Sequence, residues 1–294
     1  MIYNLGSINI DYFYKAPHLP MPGETLAASD YQVGLGGKGA NQSVACARAG
    51  AAVRHIGQIH HKDADILGLL DASAVDCSMI TQGDVPTGHA IIVVDEDSGE
   101  NHIILMPGAN QAITETQLED ALAGASAGDW ALAQNETALA VPFLKRAKDK
   151  GLSLCYSAAP FVRDNVLAVL PLIDLLIVNE GEAEEIAAAL GKGPDKWGLP
   201  HLIITKGKEG ADYYGQDGAF HQPAHPVEAV DSTGAGDTYL GYVLGQISQG
   251  ASLQEAMALA GKAAALQVTR FGTAEVIPTL AEVEETIFET RDKI

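Results

Sequence analysis

The chain has few basic residues. Its 294 residues carry 18 Lys and Arg against 38 Asp and Glu, a formal net charge of −20 at pH 7. Long-range repulsion of that size disfavours nucleic acid and anionic membranes as partners. The same scarcity gives weight to each cation near a candidate site, because a phosphorylated substrate would need one. Cysteine is scarce as well: Cys46, Cys77 and Cys155 stand alone in apolar contexts, and there is no C-x-x-C pair. Such spacing argues against a disulfide framework or a cysteine-based metal site, and fits small core residues of a reducing, cytoplasmic protein. No apolar run approaches the roughly 20 residues of a membrane span. The chain opens directly on a strand-like Ile2-Tyr3-Asn4-Leu5, so no leader is expected. Repeats, low-complexity segments and linkers are missing, and the length suits one large α/β domain or two small ones.

What the chain does have is glycine in two clusters. Asp231-Ser232-Thr233-Gly234-Ala235-Gly236-Asp237-Thr238 lies between an extended stretch (219–230) and an apolar helix pattern running from about Gly234 to Ser248. Glycines on either side of Ala235 let the backbone turn tightly and leave N–H groups uncovered at a helix N-terminus, an anion-binding nest. Asp237 puts a carboxylate beside that nest. Phosphoryl transfer needs this pairing: donors for charge developing on the phosphate, and an acceptor for the proton of the attacking hydroxyl. The same residues would also make an ordinary helix cap worth about 1 kcal/mol, and the stretch alone does not separate the two readings. The other cluster, Gly34-Leu35-Gly36-Gly37-Lys38-Gly39-Ala40-Asn41, precedes a helix predicted over Gln42–Ala49. It is not a Walker A loop, since Lys38 is followed by glycine, and it lacks the spacing and acidic ribose clamp of a dinucleotide fingerprint. A polar, hydroxyl-rich ligand held by Asn41, by backbone N–H groups and by Asp11 fits better.

Elsewhere the pattern predicts a strand over residues 1–8, then a hairpin leaving the main sheet: Tyr12-Phe13-Tyr14, a turn at His18–Thr25, and an extended Leu26–Val33. Residues 53–59 read as a strand, and Asp63–Ala72 and Thr114–Ala123 as helices. Thr87–Asp95 and Asn101–Met106 read as a second hairpin, and the two hairpins could form a small separate sheet. His60-His61 reads as a solvated loop, because adjacent residues share no face and no third ligand is spaced to match. From residue 129 the chain alternates. Strands are predicted over Trp130–Ala133, Leu152–Tyr156, Ile173–Val178 and Leu202–Thr205, and helices over Ala138–Lys150, Val162–Leu170 and Glu180–Leu190. That alternation is a doubly wound parallel sheet. Gly207-x-x-Gly210 turns into a further hairpin, and helices over Leu253–Val268 and Leu280–Thr290 close the chain. Ligands of such sheets bind beyond the strand C-terminal ends. Polar residues recur there: Gly6-Ser7, Gln134-Asn135-Glu136, Asn179-Glu180-Gly181-Glu182 and Thr205-Lys206-Gly207. Helix capping explains part of this set, Glu180 in particular, but not all of it. The cations near the presumed site are few (Lys38, Lys206, Lys208 and Arg163), which suggests a neutral substrate.

Six motifs, in one order, resemble the ribokinase-like (PfkB) carbohydrate kinases: Gly6-Ser7-Ile8-Asn9-Ile10-Asp11, Pro22-Gly23-Glu24-Thr25, Gly36-Gly37-Lys38-Gly39-Ala40-Asn41-Gln42, Asn179-Glu180-Gly181-Glu182, Thr205-Lys206-Gly207-Lys208-Glu209-Gly210 and Asp231–Asp237. They span nearly the whole chain, and the two glycine clusters are that family's signatures. The resemblance implies one kinase domain over 1–294, a three-layer α/β/α fold with a mostly parallel central sheet, and a small β lid from segments at about 11–34 and 87–106. It implies transfer of the ATP γ-phosphate to a primary hydroxyl of a neutral sugar, foremost ribose to ribose 5-phosphate. Another neutral sugar, a nucleoside stacked on Tyr12, Tyr14 or Tyr31, or a non-catalytic sensor are the alternatives.

By the same resemblance, Asn9, Asp11, Gly36, Gly37, Lys38, Asn41 and Glu136 would meet the sugar over a floor of Ala90, Ile92 and Leu105. Asp237 would be the base, and Gly234, Ala235 and Gly236 the anion hole. Asn179 and Glu182 would hold phosphates and Mg2+ through water. Thr205, Gly207 and Gly210 would line the nucleotide site, with the helix around 262–267 beside the adenine. Asp231 and the Thr233 carbonyl would ligate a monovalent cation such as K+, and the lid would be a homodimer contact. Four departures stand out. The segment 56–63 lacks a second glycine, and Ser157-Ala158-Ala159-Pro160 replaces an Asn-Pro-Ala-Pro stretch, so both reshape pocket edges. A helix is missing between Leu190 and His201. Val276 stands at a cation-ligating hydroxyl position, which predicts altered cation dependence.

Overall fold

Short, almost unbroken apolar runs form the middle of the sheet. Ile2–Leu5 (β1) buries all of its residues, and Trp130–Ala133 (β8), Ser153–Ser157 (β9), Leu175–Asn179 (β10) and His201–Thr205 (β11) bury nearly all of theirs. Only a sheet covered on both faces allows that. The computed structural model describes residues 1–216 and 218–288. The other strands are Asn9–Ala16 (β2), Asp30–Gly36 (β3), Val53–His60 (β4), Asp76–Gly83 (β5), Gly88–Asp95 (β6), Asn101–Met106 (β7), Ala211–Gly215 (β12) and Gly218–Gln222 (β13). The helices are Lys38–Arg48 (α1), Gly68–Ala72 (α2), Glu115–Ala121 (α3), Ala140–Asp149 (α4), Arg163–Val169 (α5), Glu180–Leu190 (α6), Ala235–Ile247 (α7), Leu253–Gln267 (α8) and Leu280–Glu285 (α9). No helix among the described residues is long and apolar enough to cross a membrane.

The main sheet has the order β13-β12-β11-β10-β9-β8-β1-β4-β5 and is parallel except where β12 and β13 turn back at one edge. Successive side chains enter opposite layers: Ile2, Leu175 and Ile177 join the core under α1, α7 and α8, while Tyr3, Leu176 and Val178 join that under α3 to α6. From β1 the chain first goes to β4 on one side and later returns to β8 on the other. This reversal opens a crevice at the C-terminal ends of β1 and β8. A second sheet of order β3-β2-β6-β7 stands apart as the lid, its two hairpins joined by the parallel pair β2–β6.

Three predicted elements differ. Strand β5 was not anticipated, because its Asp76-Cys77-Ser78 start and half-exposed edge position leave no apolar alternation. The helix predicted over Asp63–Ala72 is a 3₁₀ turn over His61–Leu67 followed by the short α2. Helix α1 starts at Lys38 rather than Gln42, since β3 runs through the glycines to Gly36 and Gly37 caps the helix at φ 93°. The last helix stops at Glu285, and the predicted residues 289–290 lie outside the described residues. Between Leu190 and His201 there is a single 3₁₀ turn, over Pro194–Lys196.

One helix contact positions the site. Helices α1 and α7 lie side by side, with Gly241 on Ala45 and Gly245 on Ala49. A Cβ on Gly241 would stand 2.3 Å from that of Ala45, so only glycine allows this approach. Asp237 precedes Gly241 by one helical turn, as Asn41 precedes Ala45, so the parallel helices bring their first turns together at one end. Replacing Gly241 by Ala adds helix propensity worth about 1 kcal/mol but overpacks the contact by about 1–3 kcal/mol. The expected net result is a lower urea midpoint and a loosened Asn41–Asp237 contact. A midpoint at or above wild type would mean that the helices separate without strain.

Candidate active site

The N-terminus of α1 is tied to the crevice. The Lys38 N–H donates to Glu136 Oε2 at 3.1 Å, the Gly39 N–H to Ser7 Oγ at 3.2 Å and the Ala40 N–H to Ser7 O at 2.9 Å. Ser7 Oγ in turn donates to Glu136 Oε2 at 2.5 Å. A carboxylate therefore caps the positive end of the helix dipole. The Lys38 N–H, in the turn expected at the ligand, thus bonds within the protein, and Glu136, expected at the same ligand, also anchors the helix, with its Oε1 3.9 Å from Lys38 Nζ.

Asp237 is nine-tenths buried in the first turn of α7. Its Oδ2 accepts from Asn41 Nδ2 at 3.0 Å and its Oδ1 from Gln42 Nε2 at 2.8 Å. Asn41, expected to hold a ligand, thus also holds the carboxylate. Its buried Oδ1 has no partner among the described residues and remains an acceptor for a hydroxyl. Gln42 was not singled out from the sequence. Behind it runs a buried chain of amides: Gln134 Nε2 donates to Gln42 Oε1 (2.7 Å) and to Asn4 Oδ1 (2.9 Å), and Asn4 Nδ2 donates to Ser43 Oγ (2.8 Å) and Gly39 O (2.9 Å). His55 closes it, with Nε2 donating to Gly6 O at 3.0 Å and Nδ1 accepting from Ser43 Oγ at 2.8 Å. Burial pushes the His55 pKa down to about 4, so it stays neutral at pH 7. The Gln134 nitrogen takes up the Gln42 Oε1, so the other corner of the Gln42 amide must present its Nε2 donor to Asp237.

The lid brings Asp11 over this point. The Asp11 carboxylate packs so closely on Gly36 that a Cβ there would lie 2.0 Å from its Oδ2. Burial, then Glu136 and Glu275, raise its pKa to about 7 against the pull of Lys38. Lys38 is held above its ordinary value by Asp237 first, then by Glu136, Glu182 and Asp11, with burial opposing. Asn9, expected at the ligand, gives its Oδ1 to Asn110 Nδ2 at 2.8 Å. Asn110 also receives the Ile8 N–H at 2.9 Å, so this unpredicted pair fixes the root of the lid. Across the strands Asp11 pairs with Ala90 and Ala90 with Leu105, one row on one face. Ala90 and Ile92 are buried there, while Leu105, at the row's outer end, is 46% exposed.

On the other side of Asp237 lies a cavity of about 210 Å³, walled by Lys38, Ser157, Asn179, Glu182, Gly236 and Asp237. Thr205 and Gly236 also wall a second cavity of about 480 Å³, bounded by Gly207, Gly210, His225, Ala264 and Ala265. At its edge Gly210, with φ 109°, has no room for a Cβ beside Gln222 O. Asn179 and Glu182 form a reciprocal capping box, each side chain on the other's N–H at 2.9 Å. The capping pair is therefore Asn179 and Glu182, without Glu180. Burial and the charge of Asp237 push the Glu182 carboxyl up against hydrogen bonding and Lys38. Thr205 turns its hydroxyl to Val178 O at 3.3 Å, and Lys206 is paired with Asp212 at 2.7 Å.

The nest itself forms as expected, with Gly234 left-handed at φ 75° and α7 starting at Ala235. The Ala235 N–H makes a long bond to Ser232 O at 3.3 Å, and the first turn leaves further N–H groups without intrahelical acceptors. The cation ligands implied by resemblance are differently engaged. Asp231 accepts the N–H of Thr233 at 2.9 Å and of Gly272 at 3.2 Å, and Thr233 O accepts Gln267 Nε2 at 3.1 Å.

The description "pfkB family carbohydrate kinase" matches residues 1–280. The chain is 35% identical over 302 residues to the ribokinase of Haemophilus influenzae, covering 96% of each. Among solved structures it is similar to a ribokinase from Cryptococcus neoformans in complex with ADP (30% identity, TM-score 0.84, covering 97% of this chain and 98% of that one). It is also similar to Arabidopsis thaliana ribokinase complexed with ribose and ATP (27% identity, TM-score 0.83, covering 97% of each).

Two outcomes follow from the geometry. Gln42→Leu removes one of two donors to Asp237, so turnover should fall roughly ten- to hundred-fold with little change in KM. Unchanged turnover would mean that Asn41 alone holds the carboxylate. For Asp11 the folded state binds the proton more tightly than the unfolded chain, so wild-type stability falls as pH rises from 3.8 to about 7 and then levels. Asp11→Asn lacks that fall. Its stability gain over wild type in urea titrations should grow across this window and stay constant above it; a gain independent of pH would contradict the raised pKa.

Proposed function

The chain belongs to the pfkB family of carbohydrate kinases, and on that premise we propose that it transfers the ATP γ-phosphate to a primary hydroxyl of a neutral sugar, D-ribose foremost, giving D-ribose 5-phosphate. The observation that carries this reading is the setting of Asp237, bonded to Asn41 and walling one cavity with Lys38 and the glycines of the anion nest. The ribokinases among its relatives support ribose as the acceptor.

In this mechanism Asp11, Asn41 Oδ1 and Lys38 hold the sugar under the lid. The adenine lies in the cavity between Gly210 and Ala264, and the phosphates reach through the Thr205–Gly236 neck. Asp237 accepts the hydroxyl proton as the phosphate arrives, since a carboxylate is too weak a base to remove it beforehand. N–H groups of Gly234 and Gly236, with Ala235 between them, take the charge developing on the transferred phosphate. Negative charge gathered by Glu182 and Asp237 suits a divalent cation, and Glu182 and Asn179 would hold Mg2+ through water. Bound there, Mg2+ neutralises phosphate charge. A potassium ion, expected as an activator, would share the Asp231 and Thr233 oxygens with the hydrogen bonds they carry and find no side-chain oxygen at Val276, and no step of this mechanism calls on it.

Residues 1–294 then act as one domain in the cytoplasm. The outer face of the lid supports a homodimer: Val33, Tyr12, Ile91 and Ile104 make one row across its four strands, and Val33 and Ile104 are more than half exposed. Tyr12, Tyr14 and Tyr31 cluster on that outer face, away from Asp11, which weighs against a nucleoside base stacking on them.

In a coupled ADP-release assay, ribose should be turned over ahead of fructose and nucleosides. Asp237→Asn should lower turnover by about 10²-fold or more while calorimetry still records sugar and ATP binding. Absence of turnover with ribose, or an active Asp237→Asn protein, would sink this assignment.

A further inference from the structure

We propose that Gln267 does from inside the chain what a monovalent cation would do from outside: it aims the anion nest, so phosphoryl transfer here needs no such cation. The inference rests on the kinase function proposed above and adds a positioning residue to it.

Gln267 is the last residue of α8 and is fully buried. Its amide has both ends engaged. Nε2 donates to Thr233 O at 3.1 Å, and Oε1 accepts the hydroxyl of Thr238. The side chain therefore spans the nest from underneath, from the residue before Gly234 to the residue after Asp237. A Cβ on Gly234 would stand 3.0 Å from Nε2, which puts the amide directly beneath that glycine.

The peptide joining Thr233 to Gly234 is planar and trans, so its C=O and N–H point in opposite directions. Holding the Thr233 carbonyl down on Gln267 therefore turns the Gly234 N–H up, toward the phosphate position. A cation on the same carbonyl would have the same effect, since the amide N–H presents the positive end of its dipole to the oxygen.

The surrounding oxygens are engaged too. Both oxygens of Asp231 accept backbone N–H groups, from Thr233 and Gly272. Val268 O accepts from Val230 at 2.7 Å and from Asp231 at 3.1 Å, and Gln267 O accepts from Arg270 at 2.8 Å. Val276 offers no oxygen from its side chain. A cation placed here would share these oxygens with the N–H groups bonded to them and would gain none from Val276, whereas the Gln267 amide already sits on the Thr233 carbonyl. The donor set is short of oxygens for an ion and suits the buried amide.

The test uses the full chain in buffer with tetramethylammonium as the only monovalent cation, before and after KCl is added at constant ionic strength. Turnover and calorimetric ADP affinity of the wild type should be unchanged by KCl. Activation or tightening by about tenfold or more would overturn the proposal. Gln267→Met keeps the length and loses the amide. Its turnover and ADP affinity should fall by about tenfold or more, with sugar affinity unchanged; a Gln267→Met protein equal to wild type in both would also overturn it. If that variant does not fold, the wild-type comparison decides alone. If the wild type turns over no sugar, the kinase assignment fails, while its ADP affinity with and without KCl still decides the role of Gln267.

Discussion

The close parallel packing of α1 on α7 is the constraint from which the site follows. Gly241 and Gly245 let the helices approach until the Asn41 and Gln42 amides reach the Asp237 carboxylate. Two helix N-termini then converge on one crevice, and their dipoles add to its positive potential. Glu136 neutralises part of that potential at α1 through Ser7 and Lys38. At α7 no side chain caps the helix, so that end stays available to an anion. The two glycine clusters thus have different jobs, although both precede helices. One anchors its helix to the protein, and the other leaves its helix N-terminus open.

Charge around the crevice reinforces the division. Lys38 stands among Asp11, Glu136, Glu182 and Asp237, and it walls the smaller cavity together with Asp237. Its neighbours Lys206 and Asp212 neutralise one another further along. A site so rich in carboxylate would repel a bare triphosphate, given the chain's overall excess of acid. Lys38, and the divalent ion proposed above, would offset that repulsion. A neutral acceptor, in contrast, meets carboxylates that can receive hydrogen bonds from its hydroxyls without a Coulomb penalty.

Much of this was legible in the residues. The alternation after residue 129 gave the strands β8 to β11 and the helices α4 to α6, and α6 runs over Glu180–Leu190 as predicted. Glycine spacing pointed to Asp237 and its nest because few other arrangements need φ above zero beside a carboxylate. Two kinds of feature escaped. Strand β5 escaped because an edge strand half in solvent has no obligatory pattern. Gln42, Gln134, His55, Asn110 and Gln267 escaped because a buried polar residue reads from sequence like an exposed one; only its partners, distant in the chain, distinguish them. Gln42 and Gln134 sat inside motifs that were noticed, and their position one turn into a helix and at a strand end was the available signal. Hydrogen bonds at Asp231 and Thr233 escaped for the same reason, since two of them come from residues 34 and 41 positions away.

The amide chain from Gly6 through His55, Ser43, Asn4, Gln134 and Gln42 to Asp237 is ordered about Gln134, whose Nε2 donates both ways: Asn4, Ser43 and His55 each accept from the Gln134 side and donate onward to end on Gly6 O, while Gln42 accepts from Gln134 and donates to Asp237. Its links are therefore not independent. Reversing one amide leaves two buried donors or two buried acceptors facing each other, and that mismatch passes along to the next link. Loss of the His55 imidazole alone would leave the Ser43 hydroxyl and the Gly6 carbonyl buried without these partners. The Asp237 carboxylate at one end and the imidazole at the other are thereby joined through Gln134, by side chains that lie inside the core.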